Sequence, residues 1–70
     1  MNIAKQLRDM EALSAKLRKS AARVTTIAEG LTDKGQSKLR RELIMEAVTH
    51  SGHADTADRM AKILRDVLNG

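Results

Sequence analysis

Residues 3–31, IAKQLRDMEALSAKLRKSAARVTTIAEGL, decide the fold of this 70-residue chain. Apolar or small residues recur here at alternating steps of four and three, the heptad pattern of a helix that packs against another helix. The d positions are Ile3, Met10, Leu17, Val24 and Leu31, the a positions are Leu7, Ser14, Ala21 and Ala28, and Leu13 and Ile27 lie at g. Because most a residues are serine or alanine, a second helix can approach this stripe closely.

Glycines divide the remaining chain. Gly30, Gly52 and Gly70 stand where helix ends are expected, because glycine is favoured just after the last helical turn. The chain contains no proline, which favours helices throughout. The expected class is therefore all-α, a single domain over residues 1–70 in which a long N-terminal helix precedes two shorter ones in a small bundle. The predicted helices span about residues 3–29, 33–50 and 55–68.

The length of the first helix favours self-association. A helix of about 27 residues is about 40 Å long, and two helices of half that length leave part of its apolar face uncovered. We expect a homodimer, intertwined or side by side, since a chain of this size forms only a marginal core alone. A monomeric three-helix bundle is the alternative. The predicted dimer interface consists of Ile3, Leu7, Met10, Leu13, Leu17, Ala21 and Val24.

Composition argues against several functional classes. The chain has no cysteine for disulfides or thiolate metal sites, and no aromatic residue to stack on bases or anchor in a membrane interface. The sequence begins without the apolar run of a signal peptide and contains no long apolar segment. We therefore expect a cytoplasmic protein without membrane association and without a cofactor.

Basic residues suggest a docking surface. The formal net charge is +4, and residues 12–28 contain no acidic residue. Such a surface suits an acidic protein or the phosphates of a nucleic acid, although it is also what an ordinary solvated helix face looks like. Met45, next to Ile44 on the second predicted helix, is a candidate apolar anchor, because methionine adapts to varied partners; a place at the edge of the core is the alternative. The predicted partner-binding set is Lys16, Lys19, Arg23, Lys38, Arg40, Arg41 and Met45.

A helix-turn-helix is the alternative to protein binding. The second and third predicted helices would flank a short turn at residues 51–53, as in that DNA-binding motif. The third helix, however, would begin with Asp55 and Asp58, which would repel phosphates and which pair at i,i+4 with Arg59 and Lys62. DNA binding through this motif or through the basic helix face remains the alternative function.

Catalytic and metal-binding constellations are not evident. His50 and His53 are the near-neutral titrating groups, and their spacing crosses a predicted helix end, so that neither a metal site nor a catalytic site is expected. The sequence thus predicts a non-enzymatic protein–protein interaction module, acting as an adaptor or a stoichiometric inhibitor. A phage- or plasmid-borne factor that binds a bacterial regulator or enzyme is an example of this class.

Overall fold

The computed structural model describes residues 2–70, and the described chain is an all-α hairpin of two long helices. Helix α1 spans Ile3–Glu29, as its heptad pattern predicts, and Asn2 caps it by accepting a hydrogen bond from the Lys5 N–H at 3.1 Å. A 3₁₀ turn at Lys34–Gln36 leads into helix α2, Ser37–Asn69.

The second and third predicted helices are one continuous helix. The expected turn at residues 51–53 is helical, and Gly52 lies in the interior of α2 without a positive φ. A glycine inside a helix costs about 0.5–1 kcal/mol relative to alanine, which is too little to end a helix whose buried face continues on both sides. That face repeats every seven residues through Ala47, Ala54 and Ala61, all of them buried.

The hairpin is elongated rather than compact. Its Cα radius of gyration is 16.0 Å, whereas about 11 Å is typical of a compact chain of this length. Its extents are 54 × 15 × 13 Å, so the molecule is little more than two helices in cross-section. A bundle of three helices is therefore not what this chain forms on its own.

Small side chains form the core. Ala28 and Ala54 are completely buried, and Ser14 and Ala21 are nearly so. Among the described residues, no large side chain is fully buried, because the two backbones approach closely at alanines and the bulkier residues lie beside the contact line. The buried residues are Ser14, Ala21, Ala28, Ala47, Ala54, Ala57 and Ala61.

The register of the hairpin follows from its ion pairs. Glu11 pairs with Arg65 and, seven residues further along α1, Arg18 pairs with Asp58, seven residues back along α2. The helices are thus antiparallel and in step with a heptad repeat. In this register each buried small residue of α1 lies opposite one of α2, with an offset of one residue. The facing pairs are Ser14 and Ala61, Ala21 and Ala54, and Ala28 and Ala47.

Candidate protein-interaction surfaces

The two sides of the hairpin can be defined by the heptad positions of the residues that form them. In α2 the a positions are Ala47, Ala54, Ala61 and Leu68, and the d positions are Leu43, His50, Ala57 and Leu64. Residues at e of both helices then border the contact line on one side, and residues at g border it on the other. The two sides differ sharply in chemistry.

The side formed by e positions carries the ion pairs that join the two helices, and we call it the ion-pair flank. Arg18 Nη2 lies 2.8 Å from Asp55 Oδ1 and also donates to Asp58 Oδ2. Arg65 Nη2 donates to Glu11 Oε1 at 3.2 Å. These contacts differ from the predicted i,i+4 pairs of Asp55 and Asp58, because both carboxylates lie within reach of a cation on α1 rather than at the start of a separate helix.

The electrostatics of the ion-pair flank centre on Asp58. Hydrogen bonding from Ser14, and then from the Arg18 guanidinium, holds the pKa of Asp58 below its ordinary value of 3.8. The same contacts to Asp55 and Asp58 raise the pKa of Arg18. Both groups are therefore charged at neutral pH, and the flank is polar and internally paired.

The side formed by g positions is apolar, and we call it the apolar flank. Ile63, at the neighbouring c position of α2, extends it and is 63% exposed. At the g positions of the two helices, the titratable residues are Glu46 and His53. The charged residues Asp9, Lys16, Arg23 and Glu42 lie at the neighbouring c positions and border this side. The large g residues, all exposed in the hairpin, are Leu13, Ile27, Leu39, Met60 and Val67.

A groove opens on the apolar flank near the free ends of the hairpin. Its volume is about 490 Å³, and its walls come from both helices. Met10 and Leu64 at d positions form the inner wall, and Met60 and Ile63 form the outer wall, with Gln6 contributing polar atoms at one end. The groove is thus an apolar recess that the side chains of the hairpin leave open.

A second exposed surface lies near the turn, on the opposite side of α2. Arg41, Ile44, Met45 and Val48 are spaced i, i+3, i+4, i+7 and therefore share one helix face, which we call the turn-end surface. Met45 is 68% exposed and Val48 is 64% exposed. A recess of about 390 Å³ adjoins it, and its lining residues are Leu31, Thr32, Asp33, Ser37, Arg40, Arg41 and Ile44.

The predicted partner-binding residues fall into two groups. Lys16, Lys19 and Arg23 are exposed on the side of α1 that faces away from α2, at heptad positions c and f. In the antiparallel register, Arg23 lies opposite His53 of α2. His53 is twelve residues from Arg41, so Arg23 and Arg41 are about 18 Å apart along the hairpin axis. The other four predicted residues, Lys38, Arg40, Arg41 and Met45, lie together in the first three turns of α2 and are all exposed.

Most residues predicted to form a dimer interface contact the other helix of the same hairpin. Ala21 is buried, and the larger members of the stripe are half-buried along the line between α1 and α2. Leu13, at g, is instead 42% exposed on the apolar flank. The half-buried members are Ile3, Leu7, Met10, Leu17 and Val24. The partner for the stripe is thus α2, because the continuous helix is long enough to cover it.

His50 lies inside the hairpin at a d position. Its Nδ1 atom is buried and has no hydrogen-bond partner among residues 2–70. His53 is one turn away on the same continuous helix but is exposed at g. Within the described chain, no three His, Asp or Glu side chains converge as metal ligands would. Neither helix, as described, contains a segment apolar enough to cross a bilayer.

No known protein family, curated protein or solved structure gives a significant match to this chain. The surfaces described above are therefore the guide to function.

Sequence reasoning missed the apolar flank. The signal was present: Leu39, Met60 and Val67 are spaced at multiples of seven. This spacing is recognisable only when residues 37–69 are treated as one helix with a single heptad repeat. A helix end is expected at Gly52 instead, so the repeat is not followed across it.

Proposed function

We propose that this chain is a non-enzymatic protein–protein interaction module that acts as an adaptor or as a stoichiometric inhibitor of a partner protein. The observation that carries the proposal is the turn-end surface, where Ile44, Met45 and Val48 are exposed in a row beside Arg41. Large apolar side chains arranged on one helix face are the usual anchors of helix-mediated recognition. A partner protein covers them by burying its own apolar residues.

Charge defines the chemistry of the partner. Arg40 and Arg41 line the recess beside Ile44, and Lys38 lies two and three residues before them in α2. Guanidinium groups favour carboxylates that they can contact with two hydrogen bonds. The expected partner segment is therefore apolar along one face and acidic along its edge, as in an amphipathic acidic helix on a bacterial regulator or enzyme.

The test is an affinity capture with matched variants. Tagged protein should capture a partner from bacterial lysate after nuclease treatment, and Met45→Asp or Arg41→Glu should abolish that capture. Arg59→Glu is the control, since Arg59 is exposed on α2 but lies fourteen residues, about 21 Å, from Met45. It should leave the capture intact.

Nucleic acid is the other outcome that the experiment distinguishes. If nuclease removes all captured material, and if Lys16→Ala, Lys19→Ala and Arg23→Ala together flatten a steep dependence of binding on salt, the basic side of α1 is a phosphate-binding surface. That result would contradict the protein-binding proposal.

A further inference from the structure

We infer that a second copy of this chain binds to the apolar flank, so that two hairpins pack through their g positions into a four-helix bundle. This inference concerns a different surface from the turn-end surface and does not depend on it. Three observations identify the occupant: the composition of the flank, its area, and the weakness of the isolated core.

The composition of the flank suits a copy of itself. Across the flank, the large residues are Leu13, Met60, Ile63 and Val67 near the free ends, and Ile27 and Leu39 towards the turn. A twofold interface brings identical patches together, so it tolerates few charges. The chain as a whole carries a net charge of +4, so two copies meet most readily where few charges oppose each other. At its g positions the apolar flank has Glu46 and His53 as its titratable residues, and the charged c residues lie at its edge.

The broad side of the hairpin has the size of a stable interface. With Cα extents of 54 × 15 × 13 Å it measures about 700–800 Å², close to the roughly 800 Å² that each partner contributes to a standard protein interface. The large apolar residues lie towards its two ends, with Ser20, His53 and Glu46 at the g positions between them. The groove of about 490 Å³ between Met10, Met60 and Leu64 supplies a recess for large side chains of the other copy. A short peptide would cover only part of this length.

The core of a single hairpin is poor in buried apolar area. Its buried residues are six alanines and one serine, while Ile63 and Val67 remain more than half exposed. A single core in a chain of this size supplies only a small stability, so further burial against a second copy would stabilise it. Packing two apolar flanks together places the d residues, such as Met10 and Leu64, in the interior of four helices rather than at the rim of two.

Solution mass tests the inference. The wild-type chain should have about twice the 7.7 kDa mass of one copy when measured by light scattering, with refractive index for concentration because the chain has no tyrosine or tryptophan. Ile63→Asp should weaken the dimer at least about tenfold. Val48→Asp is the matched control, because Val48 is 64% exposed and Ile63 is 63% exposed. It should remain a dimer.

Three results would overturn the inference. A wild-type chain of 7.7 kDa at millimolar concentration would do so whether or not any variant folds. So would an Ile63→Asp chain that keeps its helical circular dichroism and its dimeric mass. The third is dissociation by Val48→Asp with no effect of Ile63→Asp, which would place the contact on the turn-end surface. Loss of partner capture by Met45→Asp with dimeric mass retained would show that the two surfaces act separately.

Discussion

Arg18 of α1 and Asp58 of α2 form an ion pair across the hairpin, although 40 residues separate them in the chain. This contact and the pair between Glu11 and Arg65 follow the same heptad register, so both lie on one side of the hairpin. Large apolar residues occupy the opposite side. The division between the two flanks underlies the self-association inferred above.

Exchanging the charges of Arg18 and Asp58 tests the register. Arg18→Asp alone should lower the urea midpoint of unfolding, because it sets three carboxylates side by side. Adding Asp58→Arg should recover a large part of that loss, because opposite charges again face each other. The difference between single and double variants should shrink at about 1 M salt, where the Debye length is about 3 Å. If Asp58→Arg gives no recovery at low salt, the helices are not paired in this register.

The low pKa of Asp58 predicts how acid affects stability. A carboxyl whose pKa is lower in the folded state stabilises the fold above its unfolded value and loses that contribution as pH falls through its folded pKa. Wild-type stability should thus decline below the ordinary aspartate value of 3.8, and Asp58→Asn should be less stable than wild type at neutral pH. Urea midpoints measured from about pH 7 to pH 2 check this. A difference between the two proteins that persists unchanged at the acid end would contradict it.

Gly52→Ala distinguishes a continuous α2 from two helices with a turn. In a helix interior, the substitution should stabilise the protein by about 0.5–1 kcal/mol, and the added methyl group would meet no atom within 4 Å. At a helix end with positive φ, the same change would destabilise. Chemical denaturation measures the sign. A lower midpoint for Gly52→Ala would restore the turn at residues 51–53.

Ala54→Leu tests the close approach of the two backbones. Ala54 is completely buried, so a larger side chain must separate the helices or distort their packing. We expect a loss of about 1–3 kcal/mol in the free energy of unfolding. Ala22→Leu is the control, since Ala22 is exposed on α1. Equal stabilities for the two variants would mean that α1 and α2 do not touch at this alanine.

His50→Leu should stabilise the hairpin. Leucine fits a d position and has no nitrogen that would be buried without a hydrogen-bond partner. Removing the unpaired Nδ1 atom of His50 should raise the free energy of unfolding by about 1 kcal/mol. Lys19→Leu, at an exposed f position outside both flanks, should change stability little by comparison. Urea denaturation of both variants gives the comparison. A destabilised His50→Leu protein would show that the imidazole has a partner, for example in the assembled dimer.

Much of the fold could be predicted from sequence. The helical class and the extent of α1 follow from one strong periodic signal, and the structure confirms both. The length of α2 could not be predicted in the same way, because Gly52 looks like a helix end and because Ala47, Ala54 and Ala61 are too small to make a conspicuous stripe. Helix propensity alone disfavours a helix that continues through a glycine. The contact of α2 with α1 outweighs that preference and keeps α2 continuous.

The candidate surfaces show the same difference between local and tertiary information. Met45 and its basic neighbours on α2 can be identified from sequence, because they are close in the chain. The apolar flank brings Leu13 together with Met60 and Ile63, which follow it by 47 and 50 residues in the chain, and only the antiparallel register shows this. The heptad stripe of α1 alone predicts that a partner helix exists but not whether it comes from the same chain.

Isotope-filtered NMR on a mixture of labelled and unlabelled chains is the sharpest test of the hairpin and its dimer, because it separates contacts between copies from contacts within one. We expect intermolecular nuclear Overhauser effects at the methyl groups of Leu13, Met60 and Ile63, and purely intramolecular ones between Ala21 and Ala54. Intermolecular effects between Ala21 and Ala54, or none at the methyl groups of the apolar flank, would contradict it.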